Sequence, residues 1–125
     1  MTTAAAILAT VILAGLGLFQ AALAAGAPLG RFAWGGQRDK LPAAFRAASA
    51  ATIPLFGLMA IVLLDRAGVT SVLPDSAARI GAWVIVAYMA AGTVMNLMSR
   101  SRSERSVMMP VAAALAILSA IVAAS

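Results

Sequence analysis

Residues 80–124 read IGAWVIVAYMAAGTVMNLM, then SRSRSERS, then VMMPVAAALAILSAIVAA. The two outer runs hold no Asp, Glu, Lys or Arg, whereas the segment between them carries Arg100, Arg102, Glu104 and Arg105. A helix rises about 1.5 Å per residue and the hydrocarbon core of a bilayer is about 30 Å thick, so about 20 apolar residues cross it. Each run is close to that length. The linker is long enough only to reverse the chain, and the pair therefore reads as an antiparallel hairpin of membrane-spanning helices. Ser101 and Glu104 have the spacing of a capping box, in which each side chain satisfies a backbone N–H of the first helical turn.

The N-terminal half repeats the pattern. Ala4 to Ala25 and Ala47 to Leu64 are equally free of charge. The expected fold is an all-α, four-helix transmembrane up-down bundle in a single domain covering 1–125, with spans at about 4–25, 43–65, 77–98 and 104–124. The helices containing them are expected at Thr3–Gly26, Pro42–Arg66, Asp75–Ser99 and Arg102–Ala124, to within about 2–4 residues. Ala22-Leu23-Ala24 has the small-x-small form of a signal-peptide cleavage site. Met1-Thr2-Thr3 lacks the basic start of such a peptide, however, and the apolar run exceeds its usual core, so the first span reads as a retained helix.

Composition narrows the class. Hydrophobic residues are 63% of the chain and charged residues 10%, with a net charge of +5, against about 25% charged in soluble domains. The basic residues lie in short loops beside apolar spans, so their nearest partner is the anionic headgroup layer and not nucleic acid. The absence of Cys and His excludes disulfides, thiolate nucleophiles, imidazole-ligated haem and the usual zinc sites. No cofactor is expected.

The loops give an orientation. Arg31, Arg38, Lys40 and Arg46 flank loop one, and Arg100, Arg102 and Arg105 occupy loop three, whereas loop two has only Arg66 and Arg79, beside Asp65 and Asp75. The positive-inside rule then places loops one and three in the cytoplasm and both termini outside. Pro42 suits a first helical turn, Gly68 a left-handed cap after the second helix, and Asp75 or Ser76 a cap before the third. Pro54 and Pro110 each remove a backbone hydrogen bond, to the carbonyls of Ala50 and Ser106, and predict kinks. Gly15, Gly17, Gly57, Gly92 and the alanine ridges favour close helix packing, the alternative being that they line a pore or a cleft. Each half also carries an amide near the end of its first helix (Gln20, Asn96), then a basic loop and an early proline, which is the pattern of a weak internal repeat in parallel orientation.

Loop one is the most individual segment. In GAPLGRFAWGGQRDKLP, glycines and prolines forbid a continuous helix, while Arg31, Trp34, Arg38 and Lys40 suit an interfacial anchor. Gly35-Gly36 also permits a tight turn that folds the loop back beneath the helices. The phosphate-binding Gly-x-x-x-x-Gly-Lys-Ser/Thr spacing is absent. The segments GAPLGRFAWGGQ, LPAAFRAAS, LLDRAG and NLMSRSRSERSVMMP, in this order between four apolar spans, resemble a family of small bacterial four-helix integral membrane proteins without known activity. The resemblance covers nearly the whole chain and is most specific in loops one and three. It implies a four-helix fold in a bacterial inner membrane, and it carries no functional residues.

Chemistry inside the spans is sparse. Charged groups there are the default sign of transport or catalysis, and the four uncharged runs hold no Asp, Glu, Lys, Arg or His; Gln20, Tyr88 and Asn96 are the most notable polar groups and suit hydrogen bonds between helices. The leading expectation is a non-enzymatic structural or accessory membrane protein, either a homo-oligomer or a subunit of a larger membrane complex. The alternative is a minimal dimeric transporter or channel not coupled through a membrane carboxylate. An enzyme acting on lipid would have to rely on Asp39, Asp65 or Glu104. The candidate surface for anionic lipid or a partner is Arg31, Trp34, Arg38, Lys40, Arg100, Arg102 and Arg105, with a shallow polar pocket opening between Gln20 and Asn96.

Overall fold

The computed structural model describes residues 1–36 and 40–125. Four long helices make up the chain: α1 (Thr2–Ala24), α2 (Ala43–Arg66), α3 (Asp75–Leu97) and α4 (Met109–Ala123), the last preceded by a π-helical turn, Glu104–Met108. Each is long and apolar enough to cross a membrane, α4 together with its π turn. The order around the bundle follows the chain: α1 packs on α2 and α4, α2 on α3, and α3 on α4. Short connections enforce antiparallel packing of α2 with α3 and of α3 with α4, and loop one returns the chain from the end of α1 into α2, which completes the up-down arrangement. With the π turn counted into the last helix, the expected helix boundaries agree with the observed ones to within two residues at each end.

The core is built from one stripe of each helix. Ala5, Ala6, Ala9 and Leu13 of α1 meet Met59, Val62 and Leu63 of α2, Ala82, Ile85 and Met89 of α3, and Leu115 and Val122 of α4. The small side chains of α1 let the other backbones come close, which favours dispersion contacts in a medium where apolar burial alone drives little association. Gly81 has a structural reason of this kind, because a Cβ there would lie 3.0 Å from Cγ1 of Val62. The outward faces are apolar as well, with Leu18, Ile80, Val84, Met95 and Ile117 exposed, as lipid-facing helices require.

Turn chemistry fixes the end opposite loop one. Gly68 takes a left-handed φ of 82°, its N–H bonds the Asp65 carbonyl at 3.0 Å, and the Val69 N–H bonds that of Leu64 at 2.9 Å. This is the Schellman closure foreseen for that glycine. The Asp65 carboxylate then gathers the loop: it accepts from the Thr70 hydroxyl and from the backbone N–H groups of Val72 (3.0 Å) and Leu73 (2.5 Å). Arg66 donates to the Ala123 carbonyl at 3.2 Å and to that of Ser125 at 2.5 Å, so a cation closes the C-terminal end of α4.

Three local expectations change. Helix α3 is preceded by Pro74 at its N-cap with no side-chain cap, and Asp75 lies in the first turn, where its charge complements the helix dipole without a capping bond. Pro110 sits at the start of α4 after a widened turn in which the Met109 N–H reaches back to the Glu104 carbonyl. The π turn makes room for the ring that would otherwise press on the Ser106 carbonyl, so the proline is absorbed at a helix start. The capping box is half formed. Ser101 Oγ accepts from the Glu104 N–H at 3.3 Å, but the Glu104 side chain turns to loop one.

Candidate functional site

Loop one leaves α1 through a second Schellman turn, with the Gly26 N–H on the Leu23 carbonyl and the Ala27 N–H on that of Ala22. Arg46, near the start of α2, donates from Nε to the Ala24 carbonyl at 3.0 Å and so places a cation on the C-terminal end of α1. Two short 3₁₀ turns follow, Gly30–Phe32 and Trp34–Gly36. Trp34, Gly35 and Gly36 have successive φ values of 51°, 82° and 68°. Three left-handed residues in a row reverse the chain and carry it across the end of the bundle.

Four contacts pin this strap. The Trp34 indole stacks on Phe45 at 5.5 Å between centroids, and its N–H donates to the buried Ser49 hydroxyl at 3.1 Å. The Gly35 N–H donates to Glu104 Oε2 at 3.3 Å, and the Ser101 hydroxyl donates to the Arg31 carbonyl at 2.5 Å. Loop one is thereby tied to α2 and to the α3–α4 linker. Gly36 is where the strap comes closest: a Cβ there would collide with the Ser101 side chain and lie 2.7 Å from the Arg31 carbonyl oxygen. Phe32 meets the edge of Phe19 on α1 at 6.4 Å, and the Arg31 guanidinium lies 4.8 Å from the centre of the Phe32 ring.

The basic residues singled out from sequence gather at this end. Arg31, Lys40, Arg100 and Arg102 are exposed. Arg105 is half-buried and donates to the Ser99 carbonyl at 2.6 Å, so part of its role is to finish the C-terminus of α3. Arg38 lies outside the described residues, as does Asp39. Trp34 is 43% exposed, yet its N–H faces Ser49 and not the headgroups; it holds the strap to α2 while its outer ring edge stays at the surface.

The intramembrane polar residues lie in different settings. Tyr88 is 49% exposed on the outer face of α3, Asn96 is half-buried, and the buried Gln20 Oε1 meets no donor. Among the described residues no hydrogen bond between helices joins them. The hydroxyls of Thr10, Thr52 and Thr93 instead bond carbonyls of their own helices, Ala6, Ser49 and Met89, at 2.7–2.8 Å, as helical hydroxyls commonly do. An open groove of about 380 Å³ runs between α1 and α2, and neither Gln20 nor Asn96 lines it. Of the three carboxylates weighed for catalysis, Asp65 is engaged in its turn and Glu104, 6% exposed, beneath the strap, while Asp39 lies outside the described residues. Among the described residues no group of His, Cys, Asp and Glu is arranged to hold a metal ion.

Sequence reasoning missed Ser49, Phe45 and Arg46 as partners of loop one. The one available signal was chemical: an indole N–H near an apolar span needs an acceptor, and Ser49 supplies a hydroxyl on the neighbouring helix. Comparisons with protein-family models, curated proteins and solved structures find no match to this chain.

Proposed function

We propose that this chain is a non-enzymatic, multi-pass component of a bacterial inner membrane that works by association, as a homo-oligomer or as a small subunit of a larger assembly. Loops one and three then face the cytoplasm and both termini lie outside, which the excess of basic residues beside those loops favours. The bacterial setting rests on the resemblance carried by the two loops. One observation supports an associative role above the others. The described part of loop one is bonded down onto α2 and onto the α3–α4 linker, which favours a docking surface at the basic end over the mouth of a passage. Beneath it Leu13 and Leu115, near the middles of their helices, are buried.

A cationic face at a membrane interface attracts anionic headgroups, at about 1 kcal/mol per basic residue, and offers donors to the carboxylates of a partner. Purification from native membranes in a mild detergent tests the reading. A stoichiometric partner or a defined homo-oligomer is expected, with the association weakened by salt and by joint replacement of Arg31 and Arg102 with Gln. A homodimer enclosing an aqueous cavity and moving solute in liposomes points to transport instead. A monomer without partners, indifferent to salt and to the Arg31 and Arg102 changes, overturns the proposal.

A further inference from the structure

The unfinished capping box before α4 gives one carboxylate two uses. Ser101 Oγ accepts from the Glu104 N–H at 3.3 Å. The return bond of such a box, from the Ser101 N–H to the Glu104 carboxylate, is replaced on both sides. The Ser101 N–H donates to the Ser99 hydroxyl oxygen at 3.1 Å, and Glu104 Oε2 accepts from the Gly35 N–H of the strap at 3.3 Å. That last separation is longer than the usual ~2.7–3.2 Å of N–H···O bonds. Glu104 thus gives up a donor three residues away for a loosely held one on loop one. It cannot serve both.

The docked strap is strained as well. Trp34 has a φ of 51°, a left-handed conformation that a bulky side chain adopts only where its surroundings impose it. What imposes it is a short set of contacts: the indole on Ser49 and Phe45, Gly35 on Glu104, and the Arg31 carbonyl on Ser101. Each polar group among them has another partner once the strap lifts. An indole suits the headgroup layer, and Trp34 is already partly exposed. The Ser49 hydroxyl can bond a carbonyl of its own helix, as those of Thr10, Thr52 and Thr93 do. The backbone groups of the strap meet water, and Glu104 recovers the Ser101 N–H.

We propose that loop one is a releasable strap with Glu104 as its latch. In the docked position the carboxylate holds the Gly35 N–H; in the released position it swings back to the Ser101 N–H and completes the cap of the last helix. The latch regulates the basic end, and in this it rests on the reading of that end as an association surface. Docking keeps the Arg31 backbone on Ser101, between Arg100 and Arg102, and release separates loop one from the cations of the linker. A ligand that bridges the two therefore favours the docked position, because only there are both within its reach.

Solvent exchange of the Trp34 indole N–H tests the latch, followed by NMR on the full chain in micelles in a Trp83→Phe background. Among the described residues no hydrogen bond joins Ser99 to the strap; its hydroxyl accepts from Ser101 and its carbonyl from Arg105. Ser99→Ala nevertheless removes the docked-state acceptor of the Ser101 N–H and draws Glu104 back to it. Indole exchange is expected to rise about fivefold, the factor that the ~1 kcal/mol of one hydrogen bond gives. In Glu104→Ala the indole should exchange faster from the outset, and Ser99→Ala should then add nothing, since the coupling runs through the carboxylate. Glu104→Met, which keeps the length of the side chain without an acceptor, takes the place of Glu104→Ala if helix content falls. Unchanged exchange in Ser99→Ala overturns the proposal. A rise of equal size with and without Glu104 also overturns it, in favour of simple fraying of the linker. The measurement needs no partner, so failure of the latch and failure of the association surface are told apart.

Discussion

Gly36→Ala tests the strap at its tightest point, and Gly35→Ala is its internal control. Both residues have left-handed φ, 82° at Gly35 and 68° at Gly36, and an alanine there costs roughly 1–2 kcal/mol. Their surroundings differ. A Cβ on Gly35 meets nothing within 4 Å, whereas one on Gly36 collides with the Ser101 side chain and crowds the Arg31 carbonyl oxygen at 2.7 Å. Relief requires Ser101 to move, which breaks its bond to the Arg31 carbonyl and disturbs its cap on the Glu104 N–H, each worth about 1 kcal/mol. Gly35→Ala should therefore weaken loop docking by about 1–2 kcal/mol and Gly36→Ala by about 3–4 kcal/mol. The effect on global unfolding cannot exceed the docking free energy of the loop, because the helices stay packed once it has come away. The informative measurement is accordingly local. In a Trp83→Phe background the emission of Trp34 should shift to the red in Gly36→Ala, and hydrogen exchange at the Gly35 amide should rise, while helix content in micelles stays at the wild-type level. Equal behaviour of the two alanine variants would refute the steric argument.

Leu63→Ala should destabilise the bundle by about 2–5 kcal/mol in a denaturing-detergent titration, since Leu63 is fully buried and the cavity loses dispersion contacts. Ile117→Ala, at an exposed position, should stay within about 0.5 kcal/mol. Asp65→Ala removes the acceptor for Thr70, Val72 and Leu73 and should loosen the α2–α3 turn by about 1–3 kcal/mol, seen as faster amide exchange at Val72 and Leu73 with α1 unaffected. Single cysteines at Ser71 and Ser103 should label oppositely with an impermeant thiol reagent in intact cells, Ser71 reacting and Ser103 protected. Ser71 is preferred to Thr70, whose hydroxyl is bound to Asp65. Reaction at Ser103 and protection at Ser71 would reverse the orientation.

The sequence alone determined the number of helices, their limits and their antiparallel order. Those properties depend on the length of charge-free runs and on the shortness of the linkers, and both are local. The cap at Gly68 was legible for the same reason, since a left-handed residue after a helix is a matter of a few neighbours. Half of the Ser101–Glu104 cap was legible too. The Glu104 side chain was not, because its partner, the Gly35 N–H, lies far away in sequence, and only the packing of α4 against α1 brings loop one over the linker. Trp34 illustrates the same limit: its composition fitted an interfacial anchor, but the rotation of α2 that buries Ser49 gave its N–H a better acceptor. The groove between α1 and α2 likewise follows from how two helices are turned toward each other. A run of apolar residues fixes that a helix enters the membrane; which of its faces meets a neighbour is decided by the summed packing of all four.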